Sequence, residues 1–291
     1  MNHASPGASS ASAAHAAVVF QPPVWHVTDW LTQARLRLPL LWWTGWAALL
    51  ASIPLLLLAQ VDARTFQGIS IWIKPWKFHV SVGLHLLTLA VIAAPLAEIA
   101  ARRPALARLT AVAVASAVFE LAYITWRAAR VEASHFNIAD PFSGFMYALM
   151  GLGAILLTGC AGLLGLWVAR TPGYPAGAVM QRGLALGLIA GWLLGTLSGA
   201  FVSSQTGHWV GGSPTDAQGL AVVGWSRDGG DLRVAHFFGL HAMHVVPLAA
   251  WALSRWLAPA RALPAVGAFC ALYAGLTCAV FLQALQGRPF L

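Results

Sequence analysis

The chain has 291 residues, of which 59% are hydrophobic and only 9% charged, and its mean hydropathy is +0.71. This composition excludes an ordinary soluble domain and indicates an integral membrane protein. The formal net charge of +8 does not indicate nucleic-acid binding, because the basic residues stand singly between hydrophobic segments.

The N-terminal region divides into two parts. Residues 1–24 are rich in Ala, Ser, Pro and His and have no basic start, so they predict a disordered tail and not a secretory signal peptide. Residues 25–40 place Trp25 and Trp30 among charged residues such as Arg35, which predicts a short amphipathic helix lying in the membrane interface. The alternative is that this stretch extends the first spanning helix.

Residues 41–291 are predicted to form a transmembrane bundle of seven helices, because each apolar segment approaches the roughly 20 residues that a spanning helix needs. The segments lack the alternation of strands, so the predicted fold class is all-α. The segments are 41–59, 78–97, 109–126, 143–169, 183–202, 236–254 and 264–284.

The connecting segments predict the orientation. Arginines collect on one side of the membrane, which predicts a cytoplasmic N-terminus and a C-terminus on the opposite side. These arginines are Arg35, Arg37, Arg102, Arg103, Arg108, Arg170, Arg182, Arg255 and Arg261. Only Asp29 and Glu98 oppose them on that side.

The connection at 204–235 is the only sizeable segment outside the predicted spans. Residues Gly219–Trp225 and Asp231–Ala235 flank the turn sequence Arg227–Gly230, which predicts a small β-hairpin. Such a loop could cap the helical bundle from outside. A solvated connector with an incidental hairpin is the alternative.

Ionisable residues recur within the predicted spans. Lys74, Lys77 and His85 fall on one broad face of the second helix, and Glu120 and Arg127 nearly superpose on the third. An unpaired carboxylate at bilayer depth costs several kcal/mol, so Glu120 must be protonated or have a partner. Arg127, Lys77 and the histidines are the predicted partners.

Histidines add a second set of candidates near the outer ends of the helices. His241 and His244 lie one turn apart, and His236 is shallower on the same side. The candidates for substrate binding or proton relay are Lys74, Lys77, His85, Glu120, Arg127, His135, Asn137 and His236. The candidates for binding haem b or a metal ion are His85, His241 and His244. The residues hypothesised to line one outward-facing cavity are Lys77, His85, Glu120, Arg127, His241 and His244.

Six segments between the second helix and the C-terminus carry a family resemblance. They are Lys74–Phe78, Ser134–Asn137, Gly224–Ser226, Gly230–Arg233, His236–Ala242 and Gln283–Pro289. These segments resemble those of a group of uncharacterised bacterial polytopic membrane proteins. The resemblance implies a multi-pass protein of the bacterial inner membrane, with a periplasmic C-terminus, but no activity.

Three functions are compatible with these residues. The first is binding or proton-coupled translocation of a small polar or anionic solute at a periplasm-facing site. The second is a membrane redox protein that holds haem b or a metal ion. The third is an accessory or sensory subunit whose polar groups only join helices. No sequence motif assigns an enzymatic reaction or an oligomeric state. The expected partners are the lipid bilayer and the solute, and no nucleic acid.

Overall fold

The computed structural model describes residues 27–291, and this part of the chain contains seven helices that are long and apolar enough to span a membrane. The protein is therefore a multi-pass, all-α membrane protein, as predicted. The predicted tail, 1–24, lies outside the described residues. The helices are α1 (Val27–Arg37), α2 (Pro39–Val61), α3 (Ile73–Ala93), α4 (Arg103–Ala129), α5 (Pro141–Ala169), α6 (Gly177–Ser203), α7 (Arg233–Trp256) and α8 (Pro259–Leu285). The 3-10 segments Ala94–Glu98 and Ala100–Arg102 connect α3 to α4.

Helix starts follow local chemistry. Proline opens α2, α5 and α8, where its missing N–H costs no helical hydrogen bond. Asp140 caps α5, because its carboxylate accepts hydrogen bonds from the Ser143 amide at 3.0 Å and the Ser143 hydroxyl at 2.6 Å. The spanning helices extend beyond most of the predicted bounds, since flanking polar residues such as Arg103 continue the helix where the apolar segment stops.

The spanning helices pack against their sequence neighbours, and α6 also packs against α8. The contact between α6 and α7 is close because glycines on α6 face α7. A side-chain carbon added at Gly187 would lie 2.7 Å from Cδ of Pro247 and 2.9 Å from the carbonyl oxygen of Ala242. Small residues at such positions let helix backbones approach in a membrane, where dispersion contacts drive association.

The short helix α1 is distinct from the first spanning helix. It ends at Arg37, and Leu38 interrupts the helix with φ −128° and ψ 52° before α2 begins at Pro39. It packs against α2, α3 and the first 3-10 segment, and the Arg37 guanidinium donates a hydrogen bond to Glu98. A position in the membrane interface stays a prediction.

Three connections lie at the same end of the bundle and form a cover over it, which we call the cap: residues 62–72, 130–140 and 204–232. It contains two antiparallel strand pairs, β1 (Thr65–Phe66) with β2 (Ile69–Ser70) and β3 (Trp209–Val210) with β4 (Gly230–Asp231). The first and third connections are joined at Gln67, whose carbonyl oxygen accepts from the Asp216 amide and the Thr215 hydroxyl, both at 3.0 Å.

The predicted hairpin is present as a strand pair but between other residues. Asp231 pairs with Trp209, and not with the stretch Gly219–Trp225. That stretch instead forms a tight turn, closed by a 2.8 Å hydrogen bond from the Leu220 amide to the Trp225 carbonyl oxygen. The second predicted strand is short because Arg233 already begins α7, its amide donating to the Asp231 carboxylate at 3.0 Å.

Candidate functional site

A cavity of about 810 Å³ lies beneath the cap, between α3, α4, α5, α6 and α7. Five of the residues predicted from sequence line it: Lys74, Lys77, Glu120, His135 and His236. Its volume lies within the range typical of sites for small molecules. The bundle and the cap therefore bring ionisable groups from four separate segments to one enclosed space.

Glu120 is the deepest carboxyl group in this cavity. It lies nine residues before the end of α4, which corresponds to ~14 Å along the helix. The residue is 4% exposed, and its Oε1 atom has no hydrogen-bond partner among the described residues. Gly153 of α5 makes room for it, since a side-chain carbon there would lie 2.8 Å from Oε1. A buried polar atom left unpaired is costly, which indicates a ligand or a bound proton.

Lys74 joins α3 to the connection between α4 and α5. Its Nζ atom donates a hydrogen bond to Nδ1 of His135 at 3.2 Å, and the Ser134 hydroxyl lies 3.1 Å from the same nitrogen. Burial, with the nearby Lys74 and His236, holds the pKa of His135 well below its usual value, so the imidazole is neutral and accepts. Lys74 also lies close enough to Glu120 to attract its charge.

Lys77 and His236 fix other parts of the cavity wall. Lys77 donates to the carbonyl oxygen of Val223 at 3.0 Å and so ties α3 to the cap. Nδ1 of His236 lies 2.9 Å from the Gly195 carbonyl oxygen, so this nitrogen carries the proton and Nε2 is left as an acceptor. Gly199 accommodates the ring, because an added side-chain carbon would lie 2.8 Å from its Cε1 atom.

An ion-pair cluster in the roof of the cavity was missed by the sequence analysis. The Arg233 guanidinium donates to Asp231 at 2.6 Å, to Asp216 at 2.8 Å and to the Gly224 carbonyl oxygen at 2.7 Å. His208 contacts the Asp216 carboxylate at 3.3 Å. Charged residues in a polar loop are ordinary. The sequence feature that could have revealed the cluster is the occurrence of Asp231 and Arg233 at the start of α7, the helix that carries three histidines.

Electrostatics keep this cluster charged. Burial alone would raise the pKa of the Asp216 carboxyl, but the hydrogen bond from His208 and the charge and hydrogen bonds of Arg233 lower it to about 2. Burial lowers the pKa of His208 despite the contact with Asp216. His208 is therefore neutral at pH 7 and donates through Nε2, while Asp216 is a carboxylate.

Arg127 does not line the cavity, and its predicted pairing with Glu120 is wrong. Its guanidinium pairs with Glu132 at 2.9 Å and donates to the Ala133 carbonyl oxygen at 3.2 Å and to the Ser143 hydroxyl at 3.4 Å. The two α4 residues are two turns apart, and the arginine side chain extends toward the cap, where Glu132 is closer. Asn137 also lies outside the cavity wall; its amide donates to Ala133 at 3.3 Å.

Three predicted histidines lie away from the cavity, so the hypothesis of one shared cavity is wrong in part. Nε2 of His244 lies 3.1 Å from the Thr88 hydroxyl, bridging α7 and α3. Nε2 of His85 and Nδ1 of His244 are buried without a hydrogen-bond partner in the described chain. His241 instead contacts its own helix, with Nδ1 2.8 Å from the Phe237 carbonyl oxygen and its ring stacked on Phe237.

The described residues contain no group of three His, Cys, Asp or Glu side chains placed to hold a metal ion. The sequence-predicted candidates separate into the cavity residues, the residues around Arg127, and the histidines of α3 and α7 that lie outside the cavity.

Comparison with known proteins adds no further constraint on the site. No family model, no curated protein and no solved structure matches this chain significantly. The protein is a multi-pass membrane protein with seven candidate spans and a cavity beneath the cap that is lined by both apolar and ionisable residues.

Proposed function

We propose that the cavity binds a small solute carrying an anionic group, and that binding is coupled to proton exchange in a bacterial inner-membrane transporter or binding protein. In this proposal the cap faces the periplasm. The observation that carries it is Glu120, a buried carboxyl with an unpartnered oxygen, facing Lys74 inside a cavity of solute size.

The charge distribution favours an anion. The positive charge of Arg233 is neutralised within the roof by its ion pairs with Asp216 and Asp231. Lys77 donates one hydrogen bond to a neutral carbonyl oxygen, and Lys74 donates one to a neutral imidazole, so no anion neutralises either ammonium group through these contacts. An ammonium group has three donors, so both lysines can donate further hydrogen bonds to a carboxylate or phosphate in the cavity.

Proton exchange is supported by the groups that share the wall with these lysines. Glu120 and the imidazoles of His135 and His236 all line the cavity. His236 keeps Nε2 as an acceptor while Nδ1 is bonded to Gly195, so it can take a proton without losing that contact. Ionisable groups that face a cavity at membrane depth are typical of proton-coupled sites.

The test is ligand-induced thermal stabilisation of the purified protein in detergent, with acetate, succinate, citrate and inorganic phosphate as probes. At least one of these anions is expected to raise the Tm of the wild type. Lys74→Gln is expected to weaken its apparent affinity at least tenfold, about 1.4 kcal/mol, because a charge-assisted hydrogen bond is lost. Glu120→Gln is expected to reduce the pH dependence of binding, because one of the proton-exchanging groups is lost.

Arg261→Gln and Glu98→Gln are matched controls, since both residues lie at the end of the bundle opposite the cap. They should bind the anions as the wild type does. Stabilisation of the wild type by none of the four anions, or equal affinities in Lys74→Gln and the wild type, would contradict the proposal. Unchanged behaviour of both site variants would favour an accessory or sensory role.

A second candidate function, binding of haem b or a metal ion, is favoured by the unpartnered ring nitrogens of His85 and His244. Imidazoles contributed by α3 and α7 could serve as ligands. An absorption spectrum and metal analysis of the purified protein test this function. A Soret band lost in His244→Ala would support it, and a protein free of haem and metal after expression in supplemented medium would oppose it.

A further inference from the structure

Two neighbouring helices expose apolar faces on the outside of the bundle. On α5 the exposed residues are Leu152, Ile155, Leu156 and Leu163, at 51%, 51%, 42% and 42%. On α6 they are Leu193, Leu197 and Phe201, at 44%, 68% and 36%. The spacing is three, four and seven residues on α5 and four residues on α6, which places each set on one side of its helix. These two faces therefore contact lipid.

Two residues belong both to these lipid-facing sides and to the wall of the cavity. Ile155 is a member of the exposed set on α5 and lines the cavity. Ala200 is also exposed, lies beside Phe201 on α6, and lines the cavity as well. Residues that stand on the outer side of their helix and also line the cavity mark the place where its wall opens. The cavity therefore reaches the lipid-facing surface between α5 and α6.

The opening lies between two polar contacts that join α5 to α6, and a glycine of α5 stands between these contacts. Toward the cap, the Tyr147 hydroxyl on α5 lies 2.7 Å from the Ser203 hydroxyl on α6. Deeper, the hydroxyls of Thr158 and Thr196 lie 3.2 Å apart. Between these contacts is Gly151, where an added side-chain carbon would meet nothing within 4 Å. We call the opening formed by Gly151, Ile155 and Ala200 the lateral window.

Part of the cap, the roof around Arg233, is closed by strong contacts, whereas Gln67, Val131 and Thr206 in other parts of the cap are exposed and line the cavity. Arg233 joins Asp216 and Asp231, which are 8% and 1% exposed, and Lys77 binds the Val223 carbonyl oxygen. Opening that roof would separate buried ion pairs, which is costly. The lateral window has no such contacts across its centre, so an apolar chain can pass through it without separating these ion pairs.

We propose that the ligand of the cavity is an anionic amphiphile with a single apolar chain. Its head group contacts Lys74 and Lys77 beside Glu120, and its chain passes through the lateral window into the bilayer. The inference rests on the proposed function for its anion site and adds the chemical class of the ligand. Such a ligand requires a buried charged site and an apolar exit, and the residues that form both line the same cavity.

The experiment uses dodecanoate with a photoactivatable diazirine in mid-chain, added to the protein in lipid nanodiscs. Crosslinked peptides from α5 and α6 are quantified by mass spectrometry. Labelling is expected beside the lateral window, and unlabelled dodecanoate should compete more than tenfold better than dodecanol, which has no charge. Lys74→Gln should reduce labelling at least tenfold.

Gly151→Leu closes the lateral window and is expected to reduce labelling at least tenfold. The matched control is Gly159→Leu on the same helix, where an added carbon also meets nothing within 4 Å but the residue does not line the cavity. Its labelling should equal that of the wild type. Because both positions face open space, both variants should elute and melt like the wild type.

The outcomes separate the two proposals. The lateral route is overturned if Gly151→Leu does not affect labelling, or if labelling is spread evenly over all lipid-facing helices. If anion binding still needs Lys74 in that case, the anion site is retained. Loss of dodecanoate labelling with retained acetate or succinate binding in Gly151→Leu supports the lateral route. Absence of both anion binding and labelling in the wild type overturns both.

Discussion

Arg233 organises the roof of the cavity at the level of single atoms. A guanidinium presents five donors in a plane, and here they reach two carboxylates and one backbone carbonyl oxygen. A lysine at this position would offer a point charge and could not satisfy Asp216 and Asp231 together. The cap is consequently attached to the first residue of α7, the helix that also contributes His236 to the wall.

Acid should release this attachment. The pKa of the Asp216 carboxyl is 3.8 when unperturbed and about 2 in the folded protein, so its contribution to stability is present above about pH 4. That contribution is lost as the pH falls toward 2, where the carboxylate becomes protonated. Hydrogen exchange of residues 208–232, corrected for intrinsic rates, should accelerate between pH 4 and 2 relative to the spanning helices.

Asp216→Asn supplies the control for this pH dependence. It should raise exchange in the cap already at pH 7 and flatten the response to acid, while Glu98→Gln, at the opposite end, should change neither. Protection of the cap that stays constant from pH 5 to 2 in the wild type would show that Asp216 does not hold it.

The site residues differ in how readily sequence reveals them. Glu120 and Lys74 were identifiable because an ionisable group within an apolar helix is unusual. The partner of Arg127 was not identifiable, since a helical projection gives the face of a residue and not its competing neighbours. Glu132, beyond the end of the helix, pairs with Arg127 in place of Glu120. Asp216 was hidden among the polar residues of a loop.

At the scale of elements, glycine sets how closely α6 and α7 approach. Gly187→Ala would place a methyl group 2.7 Å from Pro247 and 2.9 Å from a backbone oxygen, so the helices must separate. The expected destabilisation is about 1–3 kcal/mol, seen as a lower Tm in detergent. Gly275→Ala on α8 is the matched control, because its added carbon meets nothing within 4 Å.

Gly275→Ala should be neutral or slightly stabilising, since alanine favours a helix over glycine by up to about 1 kcal/mol. Equal Tm values for the two variants would mean that the α6–α7 contact adjusts without cost. A fall confined to Gly187→Ala would locate close packing at that contact.

The elements themselves were predictable to different degrees. Long apolar segments identify spanning helices in a sequence, and all seven spanning helices were predicted from such segments. Strand pairs of two residues have no alternation to detect, so the pairing of β3 with β4 could not be assigned from sequence. The sequence 219–225 has turn residues suited to a hairpin, but tertiary contacts in the cap decide its partners.

At the scale of the molecule, the two ends of the bundle differ in charge. The end opposite the cap carries the arginines of α1, of the 3-10 segments and of the inner helix ends, opposed only by Asp29 and Glu98. The cap end mixes cations with most of the acidic residues, many of them paired, such as Asp62 with Arg64. Excess arginine in short connections marks the cytoplasmic side, which predicts an outward-facing cap.

Single cysteines test this orientation directly. In a background with Cys160, Cys270 and Cys278 replaced by serine, Pro214→Cys places a thiol on the cap and Ala101→Cys places one at the opposite end. Both positions are exposed. A membrane-impermeant maleimide applied to intact bacterial cells should label Pro214→Cys and not Ala101→Cys, and permeabilisation should expose both. The opposite pattern would place the cap, and with it the cavity, on the cytoplasmic side. Labelling of both thiols in intact cells would contradict the separation of these two positions by an odd number of spans.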